Sequence, residues 1–210
     1  MIISLIGMSG AGKTHWAKRI EKEGYARFSC DDLVEKILYS ELGSKGYSGL
    51  SDVAKWMGYP YDARYKETSQ KYLQAEESAM KEILDTIERR QSDPDANFVI
   101  DTTGSVIYLS NSILARLKKL GEVVYLEVSE KYQKIMISTF IRNPKPVIWG
   151  DLFSIQNNED PFYALKQSYP NLLAYRSKRY EALADVIFRY EEHKSQTMQA
   201  RDFIHQVSFA

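Results

Sequence analysis

The sequence predicts a three-layer α/β fold, a five-stranded parallel sheet with helices on both faces. Two observations carry that expectation. Short apolar runs alternate with longer stretches of helical periodicity, the order in which strands and crossover helices follow one another in a parallel sheet. The first apolar run also passes directly into a glycine-rich loop and then into a helical pattern. At 210 residues the chain suits one such domain, 1–210, carrying a modest insertion.

Strands are expected at 2–6, 25–29, 98–101, 123–128 and 186–189, where β-branched and aromatic residues gather between polar or glycine punctuation. Helices are expected at 15–22, 33–42, 69–90, 111–120, 130–141, 172–184 and 196–207, with Ser129 and Ser195 in N-cap positions. Two segments break the alternation. Residues 43–68 contain Gly43, Gly46, Gly49, Gly58 and Pro60 and read as an insertion beside the sheet. Residues 142–161 contain Pro144, Pro146, Gly150 and Pro161 with no apolar period. A loop of that length in a compact domain is usually functional or mobile.

Lys and Arg number 28 and Asp and Glu number 28, so no overall field draws the chain to nucleic acid or an anionic membrane. No run approaches the roughly 18 apolar residues of a membrane helix. The amino terminus lacks the basic region of a secretory leader. Cys30 is the single cysteine, which excludes an intramolecular disulfide and suits a reducing cytosol. A cytoplasmic protein without nucleic-acid or membrane partners is expected, its oligomeric state open. His15, His193 and His205 show no ligand spacing with one another or with Cys30, so no structural zinc site is expected.

The run Gly7-Met8-Ser9-Gly10-Ala11-Gly12-Lys13-Thr14 matches G-x-x-x-x-G-K-[ST], between a strand and a helix as that motif requires. Glycines let such a loop curl until its backbone N–H groups converge on phosphate oxygens, and the following helix adds its positive end. The expectation is a P-loop fold binding ATP through Gly7, Ser9, Gly10, Ala11, Gly12, Lys13, Thr14 and His15. Lys13 would reach the β- and γ-phosphates and the Thr14 hydroxyl would ligate Mg²⁺.

In an open parallel sheet, ligands collect beyond the carboxyl ends of the strands. Asp31 and Asp32 follow the second strand, and Asp101 ends the third. Asp101 reads as a Walker B aspartate on Mg²⁺. One of Asp31 and Asp32 would orient or deprotonate an acceptor hydroxyl, with Asp32 preferred as base, and the other would lie near the metal. The alternative for the pair is helix capping ahead of residue 33. Thr102-Thr103-Gly104-Ser105 continues from Asp101, and Gly104 would let backbone approach a ligand closely.

This order of features resembles shikimate kinase: P-loop, aspartate pair, glycine-containing turn, proline-bearing lid, then Arg176-Ser177-Lys178-Arg179-Tyr180 ahead of the last strand. The resemblance spans nearly the whole chain and implies an ATP:alcohol phosphotransferase with a small-molecule acceptor. It maps the substrate aspartate to Asp32 or Asp31, the turn to Gly104, and a substrate-carboxylate arginine to Arg176. Shikimate kinases carry consecutive glycines where this chain has Thr102-Thr103-Gly104. They also carry an arginine on the helix before the third strand. The stretch Tyr72-Leu73-Gln74-Ala75-Glu76 has none, though Arg64 lies nearby. The lid cations would be Arg142 and Lys145, with Trp149 beside them.

These departures fall on acceptor contacts. A nucleoside, nucleotide or sugar acid therefore stands beside shikimate as acceptor, and a regulatory ATPase acting through a protein partner stands as the reading of another class. Two groupings have two readings each. Trp56, Tyr59, Tyr61 and Tyr65 would stack on a substrate ring or build a satellite core. Arg176 and Arg179, three apart on a helix, would form a solvated stripe or place Arg176 on a ligand.

Overall fold

Strands buried on both faces read as near-continuous apolar runs, and the central one here is Ile-Ile-Ser-Leu-Ile, with Ser4 its one polar residue. The computed structural model describes residues 1–44, 46–90, 93 and 96–209. Its sheet has five strands: β1 (Ile2–Ile6), β2 (Ala26–Ser29), β3 (Phe98–Asp101), β4 (Glu122–Leu126) and β5 (Val186–Phe188). They lie in the order β2-β3-β1-β4-β5 and every pairing is parallel. The chain leaves β1 toward one edge for β2 and later toward the other for β4 and β5. The crevice that takes ligands in such sheets therefore opens at the carboxyl end of β1. Leu5 and Ser29 both pair with Asp101, which brings three strand ends to one place.

The helices are α1 (Lys13–Glu21), α2 (Cys30–Ile37), α3 (Tyr39–Gly43), α4 (Gly49–Met57), α5 (Tyr65–Arg90), α6 (Asn111–Leu120), α7 (Glu130–Arg142), α8 (Pro161–Leu183), α9 (Tyr190–His193) and α10 (Ala200–Ser208). Short 3₁₀ turns occupy Val106–Tyr108 and Gly150–Leu152. α1 packs on β1, β2 and β3 with α10 behind it, while α6 and α8 cover β4 and α5 lies against α2, α4 and α6. No described helix is long and apolar enough to cross a membrane.

Several boundaries differ from expectation for physical reasons. The expected helix at 33–42 is two, divided at Leu38, and the first begins at Cys30. Ser29 caps it by accepting the Asp32 N–H at 3.3 Å, so β2 hands over to α2 with no loop between. α8 begins at Pro161, capped by Asp160, and continues through Pro170. A proline removes one N–H and breaks an isolated helix. Here Ala164, Leu165, Ser168 and Tyr169 are buried before it and hold the turn. Ser129 caps α7 through the Tyr132 N–H at 3.2 Å. Ser195 caps nothing; its hydroxyl accepts the Thr197 N–H and α10 starts at Ala200.

The 43–68 insertion consists largely of α4 and the start of α5, and its Lys45 lies outside the described residues. Trp56 and Tyr65 are buried. The Tyr65 hydroxyl donates to the Val147 carbonyl and accepts the Trp149 N–H, both at 2.9 Å. Trp149 is 1% exposed among Phe140, Phe153 and Tyr169, with ring centroids 5.8–6.3 Å apart. Trp56 and Tyr65 are therefore core and not a stacking platform. Trp149 anchors the 142–161 segment and does not close over a ligand.

Candidate functional site

The chain leaving β1 must reverse tightly to start α1, and glycine makes that possible. Gly7, Gly10 and Gly12 have φ of 141°, 83° and 114°, which side-chain-bearing residues rarely adopt. A Cβ on Gly7 would stand 2.8 Å from the Leu126 carbonyl oxygen, and one on Gly10 would stand 2.9 Å from the Tyr132 hydroxyl. Lys13 opens α1, is 7% exposed, and donates its ammonium to the Gly7 and Met8 carbonyls at 2.9 and 3.2 Å. Burial lowers its pKa, opposed chiefly by Asp101 and Asp31.

Asp101 is 4% exposed at the end of β3. Its Oδ2 lies 4.0 Å from the Arg27 guanidinium, and its Oδ1 is buried without a hydrogen-bond partner among the described residues. Burial raises its pKa, while the Thr14 hydroxyl, Lys13 and Arg27 hold it down. An unpaired buried carboxylate oxygen near a threonine hydroxyl suits Mg²⁺, which takes one or two protein oxygens and completes its shell with phosphate and water. Among the described residues no group of three or more His, Cys, Asp or Glu could hold a metal by itself. Thr14 and Asp101 thus fit a cation that arrives with a nucleotide.

A cavity of about 230 Å³ joins the phosphate loop to the other strand ends. It is lined by Ser9, Gly10, Gly12, Lys13, Thr14 and His15, then by Asp31, Tyr72, Gly104, Lys145 and Arg176, with Tyr169 and Leu172 among its apolar lining. Asp31 is the member of the aspartate pair inside it. Asp32 is exposed, outside the lining, and beside Asp101, whose carboxylate it disfavours. Burial pushes the Asp31 carboxyl up to about 6, with Asp101 and Asp32 adding to the rise and Lys13 opposing it. A base titrating near neutrality can take a proton and release it again.

Arg176 is 5% exposed and is no solvated stripe. It donates to the Ile148 carbonyl at 2.8 Å and to the Gly104 carbonyl at 3.4 Å, and its Nε has no partner among the described residues. Arg179 is exposed and donates to the Ile107 carbonyl at 3.0 Å. Two further expected cations lie away from the cavity. Arg142 is exposed at the end of α7, with its Nε bonded to the Ser138 carbonyl. Arg64 donates to the Lys55 carbonyl at 2.7 Å and lines a separate hollow with Tyr59, Asp62 and Phe140. Lys145 lines both spaces, so of the two cations expected in the 142–161 segment it is the one that shares the cavity with the phosphate loop.

One residue escaped the sequence reading. Glu76 is fully buried on α5 and accepts the hydroxyls of Thr103 and, at 2.5 Å, Ser105. Burial raises its pKa to about 7, against the Ser105 and Thr103 hydroxyl bonds and the pull of Arg176. The signal was legible in principle. Tyr72, Ala75, Ala79, Met80 and Ile83 form the apolar stripe of α5, and Glu76 falls inside it.

A glycine loop curled between the central strand and a helix, with an aspartate at the end of the neighbouring strand, defines a P-loop α/β fold. The chain belongs to the AAA-domain family, whose model matches residues 2–134. No curated protein matches the sequence. Among solved structures it is similar to shikimate kinase from Acinetobacter baumannii, in complex with shikimate: 20% identity over 99% of this chain and 90% of that one, TM-score 0.57. It is also similar to shikimate kinase from Aquifex aeolicus, with 17% identity over 100% and 97% of the two chains and TM-score 0.58. Shikimate kinase from Bacteroides thetaiotaomicron gives 16% identity and TM-score 0.56. The fold is thus shikimate kinase-like, with a five-stranded all-parallel sheet.

Proposed function

We propose that this protein is an ATP-dependent phosphotransferase that moves the γ-phosphate of Mg·ATP onto a hydroxyl of a small molecule. The observation that carries the reading is the single cavity holding Lys13 and Thr14 together with Asp31, Lys145 and Arg176. A nucleotide-binding switch needs the first pair; an acceptor site needs the rest. Residues 1–210 act as one kinase domain, 43–68 forming part of the acceptor side and 142–161 the lid.

In this reading the loop amides and Lys13 hold the phosphates, and Thr14 and Asp101 hold Mg²⁺. The metal neutralises charge on the phosphate oxygens. Asp31 orients the acceptor hydroxyl and takes its proton as the acceptor oxygen bonds the γ-phosphorus and the bond to the bridging oxygen breaks, with ADP as the leaving group; it replaces Asp32 in that role. Lys145 adds positive charge as the lid covers the phosphates, a shielding that keeps water from the γ-phosphate. Positioning and charge neutralisation carry most of the rate in such transfers.

The acceptor is sought by following Mg·ATP consumption against a panel of shikimate, other sugar acids, nucleosides and nucleotides. Stimulation by one class, lost in Lys13→Ala, supports the reading. ATP turnover indifferent to every acceptor, together with a partner captured only in the ATP state, would replace it with a regulatory ATPase.

A further inference from the structure

The turn after β3 lies between the two halves of the cavity. A Cβ on Gly104 would stand 3.4 Å from the Ser9 amide nitrogen, so the turn touches the phosphate loop, and Gly104 also lines the cavity beside Arg176. Glycine is conformationally permissive, so the backbone at Gly104 must be fixed by its neighbours.

Two helices grip the turn from its two sides. From α8, the Tyr180 hydroxyl donates to the Gly104 carbonyl at 2.5 Å and Arg176 donates to the same oxygen at 3.4 Å. From α5, Glu76 accepts the hydroxyls of Thr103 and Ser105, the residues flanking Gly104. Thr103 Oγ1 in turn accepts the Ser105 N–H at 3.1 Å. The carboxylate, the two hydroxyls and that amide form one connected network, and all three residues are 5% exposed or less.

A buried carboxylate is costly unless its oxygens are satisfied. The hydrogen bonds described for the Glu76 carboxylate come from hydroxyls, with Arg176 acting on it at longer range. A leucine in the α5 stripe would fill the space but leave the buried Thr103 and Ser105 hydroxyls without an acceptor, so the glutamate and the turn are matched to each other.

We infer that Glu76 is a positioning residue, which sets the Thr103-Gly104-Ser105 backbone so that Gly104 faces the acceptor part of the cavity. That the cavity takes an acceptor rests on the phosphotransferase reading; the grip on the turn does not.

Amide hydrogen exchange on the full chain tests the grip without any acceptor. In Glu76→Ala the Ser105 amide should exchange about tenfold faster or more, because both hydroxyls lose their buried acceptor. The strand amides should keep their protection, which separates a local loosening of the turn from a global loss of stability. Glu76→Gln retains the shape and the capacity to bond both hydroxyls, so it should restore slow exchange. Ser105→Ala removes one donor and should loosen the same amides even if Glu76→Ala does not fold.

Unchanged exchange at Ser105, acceleration spread evenly over the sheet, or a glutamine no better than alanine would overturn the inference. Any acceptor turned over in the panel adds a second arm. Its KM should rise about tenfold in Glu76→Ala, by more than the KM for Mg·ATP does. If no acceptor is found, the phosphotransferase reading fails while the exchange result still decides the role of Glu76.

Discussion

Asp31 and Asp32 are neighbours with different surroundings, and the difference yields two predictions. Asp31 is inside the cavity with its carboxyl raised to about 6. As the base it must be ionised, so transfer should fall as the pH drops through about 6, and Asp31→Asn should lose roughly 10²–10⁴-fold in kcat. Asp32→Asn should change kcat far less. The sign for stability is the opposite. A carboxyl whose folded pKa lies above its unfolded value stabilises below that unfolded value, and the contribution disappears as pH rises through 6. Asp31→Asn should therefore raise the melting temperature at pH 8, by an effect on the order of 1–3 kcal/mol, and change it little at pH 4. Thermal unfolding at the two pH values checks this. An asparagine that costs stability at pH 8 would show that Asp31 is not held at an electrostatic disadvantage.

At the scale of elements, the 142–161 segment is half anchor and half lid. Val147, Ile148 and Trp149 are buried, and Tyr65 ties their backbone to α5. Lys145 and Pro146, just before them, line the cavity. Motion should be confined to the stretch preceding the anchor. Trp149→Ala should cost about 3–5 kcal/mol by urea unfolding, as for a large buried aromatic. Lys145→Ala should leave stability within about 0.5 kcal/mol, since it is a half-exposed side chain, and weaken Mg·ATP binding. A Trp149→Ala protein as stable as the parent would mean that the segment is not seated in the core.

Across the whole molecule, the parts legible in the sequence are those whose chemistry is local. The phosphate loop is contiguous and acts through backbone amides, so eight consecutive residues declare it. The central strands announce themselves because burial on both faces leaves nearly continuous apolar runs. The choice between Asp31 and Asp32 was not legible. It depends on α2 starting at Cys30, which turns adjacent side chains to different sides of a helix. Expected as loop residues ahead of position 33, the two looked equivalent. The early start of α8 was hidden because Pro170 reads as a breaker until its buried neighbours are known. Arg142 and Arg64 have the right charge near the right sequence position, but one folds back on its own helix and the other onto Lys55. Glu76 was passed over because an acid in a polar Glu76-Glu77-Ser78 run on a long helix looks like a surface residue until its stripe is counted.

The central claim is phosphoryl transfer to a bound hydroxyl, and the most direct measurement follows the label from ATP radiolabelled at the γ-phosphate. With an acceptor class that the cavity takes, the label should appear in the acceptor as a phosphate ester. Lys13→Ala should abolish that product by weakening Mg·ATP binding about 100-fold or more. Asp31→Asn should suppress it while nucleotide still binds. Label released only as inorganic phosphate, at the same rate with and without every acceptor and unaffected in Asp31→Asn, would contradict the account.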